Sequence, residues 1–496
     1  MLVELSLLLS IFLYFFFIFF KTKSNTDSSP KSYPLIGSSL ALYTNRHRLA
    51  QWTTDYLLNS PTLTFKLRGT FGQSRVITGN PEVVKHILKT QFSLYEKGDN
   101  FRTPLSDLLG NGIFNVDGDE WKFQRQVSSH EFNTKTLRHF VEHVVDAELN
   151  ERLIPILKAA AENDTILDLQ DILQRFAFDN ICRIAFGYDP KYLTPSLPKA
   201  KFAIAFEDAV RISSNRVRMV SRLIWKFNRF LNIGSEKRLK EAVSEIRQFA
   251  TKILNEKKQD LSSNSSSIQS VDLLSRFLCS GHSDEKFVTD IVISFILAGR
   301  DTTSAAMTWF FWLIYKNPDV ESKIVDEIKA KSDSPIYDEV KDMVYTHASL
   351  CESMRLYPPV PMDTKMANAD DVLPDGTVVK KGMVVTYHPY AMGRVEKFWG
   401  KDWKDFRPER WLEKDETTEK VKFMARDPYT YPVFQAGPRI CLGKDMAFLQ
   451  MKRVVAGILR QFKVVAAVDD GSEPILTADL TSKMKGGFPV KIKERK

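Results

Sequence analysis

The stretch Phe434-Gln-Ala-Gly-Pro-Arg-Ile-Cys-Leu-Gly443 decides how the chain is read. A cysteine that holds a metal does so as thiolate, and a thiolate needs backbone N–H groups aimed at its sulfur to keep the charge without a proton. Gly437 and Gly443 remove Cβ atoms where backbone has to come close to a flat macrocycle. Pro438 stiffens the turn, Arg439 offers a cation to an acidic edge of such a group, and Phe434 screens the sulfur from water. An aliphatic helical pattern, Met446–Leu459, follows at once and brings the partial positive charge of a helix N-terminus towards Cys441. Cys182, Cys279 and Cys351 sit in apolar helical patterns and are read as packing residues. Four widely spaced cysteines in 496 residues make no disulfide framework.

Far upstream, Phe295-Ile-Leu-Ala-Gly-Arg-Asp-Thr-Thr-Ser-Ala-Ala306 lies inside a long helical pattern, Phe287–Tyr315. Glycine inside a helix costs about 1 kcal/mol relative to alanine, so Gly299 needs a reason. A small residue beside Thr302 lets a helix open over a bound diatomic. Asp301 and Thr302 form an acid–alcohol pair suited to carrying protons into a buried site. The bland alternative is a core helix whose hydroxyls bond their own carbonyls. Glu352 and Arg355 lie three apart on another helical stretch, hence on one face. Leu356-Tyr-Pro-Pro359 follows them, and Phe406-Arg-Pro-Glu-Arg-Trp411 comes later.

Together these stretches resemble the signatures of the cytochrome P-450 superfamily, with Ala298–Thr303 matching its Ala/Gly-Gly-x-Asp/Glu-Thr-Thr pattern. The resemblance implies a mainly α fold with small β-sheets (α+β), haem b ligated by Cys441, and O2 as co-substrate on the opposite face. It implies that Asp301 and Thr302 feed protons, and that Glu352, Arg355 and Arg410 form a buried charged triad without which haem is not incorporated. Trp121 and Arg125, four apart on a helix, and Lys365 become haem-propionate contacts beside Arg439. Phe434, Gly437 and Gly443 complete the cofactor loop. Electrons come from NADPH through NADPH–cytochrome P-450 reductase.

Bulk properties agree with a globular enzyme: 43 % hydrophobic and 26 % charged residues, with 70 Lys+Arg against 61 Asp+Glu, a formal charge of +9. The basic residues are scattered, and no nucleic-acid recognition motif accompanies them. Residues 2–20 are almost wholly apolar and are followed by Lys21 and Lys23, which predicts an uncleaved transmembrane anchor at 1–20 with the lysines on the cytosolic side. Residues 21–36 form a tether ending in a proline-rich extended hinge, and 37–496 a single monooxygenase domain. Thr62–Gly79 and Val372–Tyr387 carry hairpin patterns, and Leu261–Ser270 reads as a Ser-rich loop. This organisation places the enzyme as a single-pass protein of the endoplasmic reticulum membrane with its catalytic domain in the cytosol.

At finer grain the chain resembles the plant fatty-acid ω-hydroxylases of family 94. Phe176-Ala-Phe-Asp-Asn-Ile-Cys-Arg-Ile-Ala-Phe186, Asn232-Ile-Gly-Ser-Glu-Lys-Arg238, Ser280-Gly-His-Ser-Asp-Glu285 and Tyr390-Ala-Met-Gly-Arg394 carry the likeness. It implies hydroxylation of medium- or long-chain fatty acids at the terminal methyl. Oxidation of the jasmonoyl-isoleucine conjugate is the alternative within the family. A reductase-independent haem-thiolate isomerase or dehydratase and a non-catalytic haem-binding membrane protein are further alternatives, and neither needs the Asp301–Thr302 pair. Phe101, Leu105, Leu109, Ile113, Phe114, Val360, Pro361 and Met362 are expected to line a pocket for a lipophilic substrate, with Arg102 as a carboxylate anchor. Phe202–Ile233, rich in aromatic and arginine residues, suits a lid resting on membrane lipid.

Overall fold

The computed structural model describes residues 29–198, 201–218, 222–263, 272–280, 284–415, 421–468, 471 and 473–495. The expected anchor at 1–20, part of the tether and most of the Ser-rich break lie outside the described residues. No described helix is long and apolar enough to cross a membrane.

The hairpin expected around Gly72 forms: β1 (Thr64–Arg68) and β2 (Ser74–Thr78) pair antiparallel. It does not stand alone. With β3 (Tyr95–Glu96), β4 (Asp363–Ala367) and β5 (Val384–Tyr387) it makes a sheet of order β1-β2-β5-β4-β3, in which β2 and β5 run parallel. The second hairpin is shorter than its sequence pattern. Pro374-Asp375-Gly376 joins only Asp371–Val372 to Val378–Val379, and the run from Val384 enters the large sheet instead. The proline segment is not extended: Ile36 N–H donates to Pro34 O at 2.7 Å, and Ser38 N–H reaches Arg68 O at 2.8 Å. Its prolines turn the chain back onto the hairpin.

The helices that frame the site are α1 (Gly98–Leu109), α2 (Gly118–Ser129), α3 (Leu169–Phe186), α4 (Lys201–Arg218), α5 (Arg222–Leu231), α6 (Gly234–Ser263), α7 (Glu285–Lys316), α8 (Val344–Leu356) and α9 (Lys444–Gln461). α7 starts where the Asp284 side chain accepts from Lys286 N–H at 3.0 Å. It stops at Asn317, before Pro318 opens the next helix. Between these ends it is buried on nearly every face because α3, α6, α8 and α9 pack around it, and it takes Asp290, Arg300 and Asp301 inside with it. Asp168 caps α3 in the same way, through Gln170 N–H at 3.0 Å. One core cluster gathers α8, α9 and the C-terminal half of α7, and a second gathers α3, α4, α6 and its N-terminal half.

Cys182 and Cys351 are buried packing residues, as expected, whereas Cys279 is exposed at the end of the helix Leu273–Cys279. The expected lid resolves into two helices, α4 and α5.

Candidate functional site

The middle of α7 faces the cysteine loop across a cavity of about 470 Å³. Thr302, Ala298 and Gly299 form its wall on one side, and Cys441, Phe434 and Gly443 on the other. Cys441 opens onto the cavity and is otherwise enclosed by protein, so its accessible surface is internal. Its N–H donates to Phe434 O at 2.9 Å, which closes the loop under the Phe434 ring. That ring packs on Phe448 of α9 with centroids 5.2 Å apart. Burial pushes the Cys441 thiol up. The Gly443 N–H, Arg125 and Lys444 oppose this by favouring thiolate. Gly443 caps α9, so the dipole expected from the sequence is in place.

Gly437 has a different reason from the one its position in the motif suggested. It lies off the cavity wall at φ +68°, and a Cβ there would stand 2.1 Å from Leu88 O. The close approach is to backbone of a neighbouring helix, not to a macrocycle. The loop also holds a strained residue that sequence alone does not reveal. Gln435 sits at φ +58°, ψ −173°, a region nearly reserved for glycine. Its side-chain Nε2 donates to Asp363 Oδ2 at 2.8 Å. Asp363 also receives Lys97 Nζ and the Tyr387 hydroxyl, each at 2.9 Å, and Lys97 holds its carboxyl well below the usual range against the cost of burial.

Trp121 and Arg125 of α2 both reach the wall. Arg125 donates to Ile440 O at 2.8 Å, and Arg439 pairs with Asp117 at 2.7 Å while lying over the Trp121 ring. Lys365 is off the wall, on the opposite pleat from Thr364, yet wholly buried with no hydrogen-bond partner for Nζ. Burial, then Lys97 and Arg439, pushes its ammonium well below the lysine range. Asp363 offsets part of this without accepting a hydrogen bond from Nζ, and a buried amine left without a partner is costly. Beside a cavity with a thiolate at its floor, it fits an acidic group of a bound macrocycle.

On α7 the Thr302 hydroxyl donates to Ala298 O at 2.6 Å. Asp301 is buried off the wall: one carboxylate oxygen accepts from Arg300 at 3.1 Å, and the other has no partner. Arg300 lies within 3.6 Å of Glu207, which pairs with Lys483 at 3.0 Å. Gly299 is required by packing. A Cβ there would meet Ile181 of α3 at 2.6 Å.

The charged triad assembles fully. Glu352 accepts from Arg355 at 2.7 and 2.8 Å and from Arg410 at 3.1 Å, with Glu352 and Arg355 wholly buried. Two further donors were not foreseen: Trp411 Nε1 at 2.9 Å and the Arg407 N–H at 3.1 Å. Of the expected substrate residues, Phe101, Leu109, Ile113, Phe114, Val360 and Met362 line the cavity. Leu105 is instead fully buried in the second core cluster, although it lies four residues from each of the wall residues Phe101 and Leu109. Arg102 is not among the residues that line the cavity.

Residues 28–490 match the family model for cytochrome P450. The chain is a cytochrome P450. Cytochrome P450 94A1 of Vicia sativa is 63 % identical over 95 % of this chain and 92 % of its own length. Cytochrome P450 94B1 of Arabidopsis thaliana is 48 % identical over 97 % and 94 %, and cytochrome P450 86B1 of the same plant 40 % over 99 % and 90 %. Within the P450s the chain therefore belongs with plant family 94. Members of the family are monooxygenases that use haem b through a cysteine thiolate, O2, a redox partner and lipophilic substrates. Among the described residues, Cys441 is the only cysteine on the wall of this P450's cavity.

Proposed function

We propose that this P450 hydroxylates medium- and long-chain fatty acids at the terminal methyl, with electrons from NADPH delivered by cytochrome P450 reductase. The observation that carries this reading is the cavity: overwhelmingly apolar side chains lead from the sheet and α1 to the gap between Thr302 and Cys441. An apolar wall of this kind suits an alkyl chain. Haem b, ligated by Cys441, would supply oxygen-activating iron there. Phe434 keeps water from the sulfur, and the Gly443 N–H holds its charge. The Thr302 hydroxyl passes protons into the cavity, and Asp301 recharges it from the Arg300 side. Arg125, Arg439 and Lys365 would hold the propionates. Methyl C–H bonds are the hardest of an alkyl chain to break, so preference for the end must come from positioning.

The same reading places the enzyme on the endoplasmic reticulum membrane with its catalytic domain in the cytosol. Ile224, Phe227, Phe230 and Leu231 on α5 are exposed, Phe230 by 85 %, beside Lys226 and Arg229. Leu35, Leu40 and Tyr43 expose a second apolar group where the chain enters the sheet. Apolar groups bordered by cations suit the headgroup boundary of a bilayer. Microsomes carrying this P450 and a reductase, supplied with NADPH and either saturated and unsaturated fatty acids or jasmonoyl-isoleucine, test the proposal. Terminally hydroxylated fatty acid is expected. Turnover of jasmonoyl-isoleucine alone would overturn it.

A further inference from the structure

Among the described residues, four cations reach the cavity wall: Arg75, Lys97, Arg125 and Arg439. Three gather around the cysteine loop. Lys97 is paired with Asp363, which touches Gln435, Arg439 is paired with Asp117, and Arg125 is bonded to Ile440 O. Arg75 stands apart, and the sheet register says how far. Asp363 lies in register with Tyr387 of β5, and Tyr387 with Thr78 of β2. Arg75 is three residues from Thr78 and two strands from Asp363, about 10 Å along the strands and about 10 Å across them, or about 14 Å in all. Leu67, Ile77, Thr386 and Thr364 share its face of the sheet, and all of them line the cavity. The Arg75 guanidinium donates to Val217 O at 3.4 Å, near the end of α4. It therefore sits beside the last turn of α4, about 14 Å from Asp363 at the cysteine-loop side of the cavity.

We propose that Arg75 is the anchor for the substrate's carboxylate, which fixes an alkyl chain with its far end between Thr302 and Cys441. This rests on the fatty-acid reading above. A guanidinium presents a planar fork that takes a carboxylate through two parallel hydrogen bonds. An acid entering from the lipid side leaves its charged end last, beside α4, where Arg75 is. Held there, the chain is measured from its carboxylate, and the carbon that reaches the floor is set by length. Arg75 is thus a positioning residue, remote from the reacting atoms.

The test compares wild type, Arg75→Ala and Arg75→Glu, each shown to be intact by its thiolate-type carbon monoxide difference spectrum. Substrate-induced spectral shifts are titrated with dodecanoate, with its methyl ester and with dodecyltrimethylammonium. Loss of a hydrogen-bonded charge pair is expected to raise Kd for dodecanoate about tenfold to a hundredfold in Arg75→Ala, with methyl-ester binding unchanged. Product moves from the terminal carbon to in-chain positions, and Arg75→Glu gains binding of the quaternary ammonium. Equal loss of acid and ester in Arg75→Ala, or unchanged dodecanoate binding, overturns the anchor while leaving the fatty-acid reading intact. Wild type that neither binds nor oxidises dodecanoate or longer acids removes that reading, and the anchor with it.

Discussion

The Glu352 carboxylate receives the Arg355 guanidinium through two hydrogen bonds of 2.7 and 2.8 Å, with both side chains at zero exposure. The pair is a junction. Arg355 goes on to the Gly393, Trp403 and Asp405 carbonyls, and Arg410 carries the link to Trp399 O and Asp402. One carboxylate thus gathers three chain segments behind the cysteine loop.

Losing the Glu352 charge leaves Arg355 as an uncompensated buried cation, at a cost of about 3–5 kcal/mol, and lysine at 355 keeps the charge but not the two-point bond to Glu352. Glu352→Gln and Arg355→Lys are each expected to express as protein without haem, seen as loss of the thiolate-type carbon monoxide spectrum. A normal spectrum with reduced turnover would show that the triad acts in the chemistry instead.

Thr302→Ala keeps the fold, because the hydroxyl bonds only its own helix at Ala298 O. In the proposed relay it removes the group that brings protons to the cavity. The expected result is NADPH consumption near the wild-type rate, with product per NADPH several-fold lower and hydrogen peroxide making up the difference. Asp301→Asn should slow NADPH consumption as well, since the proposed relay is supplied through the Asp301 carboxylate, one oxygen of which has no partner. Unchanged coupling in Thr302→Ala would remove the relay.

Much of this site was legible in sequence because its parts are local. Cys441, Phe434 and Gly443 share one loop, Asp301 and Thr302 one helical turn, and Glu352 and Arg355 one helix face. Each pattern carries its geometry in its spacing. What was not legible depends on where separate elements meet. Gln435 looks like any polar loop residue until its φ is known, and nothing in its neighbours announces Asp363 as its partner. Leu105 lies four residues from each of the wall residues Phe101 and Leu109, on their own helix face, so its burial in the core is set by what packs on that face and not by the pattern of Gly98–Leu109. Arg75 was hidden by its strand. A charge in a short hairpin reads as solvent-facing until a third strand shows which face is covered.

Gly299 separates a local from a tertiary cause directly. Alanine is the better helix former by about 1 kcal/mol, yet its Cβ would lie 2.6 Å from Ile181 Cγ1 and 2.8 Å from Ile181 Cβ. Overpacking of this kind costs about 1–3 kcal/mol, so Gly299→Ala is expected to lower the thermal midpoint. In Gly299→Ala/Ile181→Ala the two losses should add to less than their sum, because the cavity left by one takes the methyl of the other. Simple additivity in thermal unfolding of the holoenzyme would return the glycine to an oxygen-gating role.

Away from the site, Glu148 joins Arg152 at 2.9 Å and Arg183 at 3.4 Å, with Asp179 close by. Its side chain is fully buried, and one of its oxygens has no partner. Burial, then repulsion from Asp179, pushes its carboxyl from 4.5 up to about 8, with Arg152 offsetting part of the shift. A folded-state value above the unfolded one means that the native protein binds the proton more tightly. The associated stability is therefore complete below about pH 4.5 and is lost as pH rises towards 8. Glu148→Gln keeps the volume and stays neutral, so it should flatten the fall in thermal midpoint over this range and raise the midpoint at pH 8 relative to wild type. Arg152 remains paired with Asp189 at 2.5 and 3.0 Å in such a variant, so the substitution strands no cation. Calorimetric scans of both proteins at pH 6 and pH 8 decide it, and a larger loss for Glu148→Gln at pH 8 than at pH 6 would mean that Glu148 is ionised in the fold.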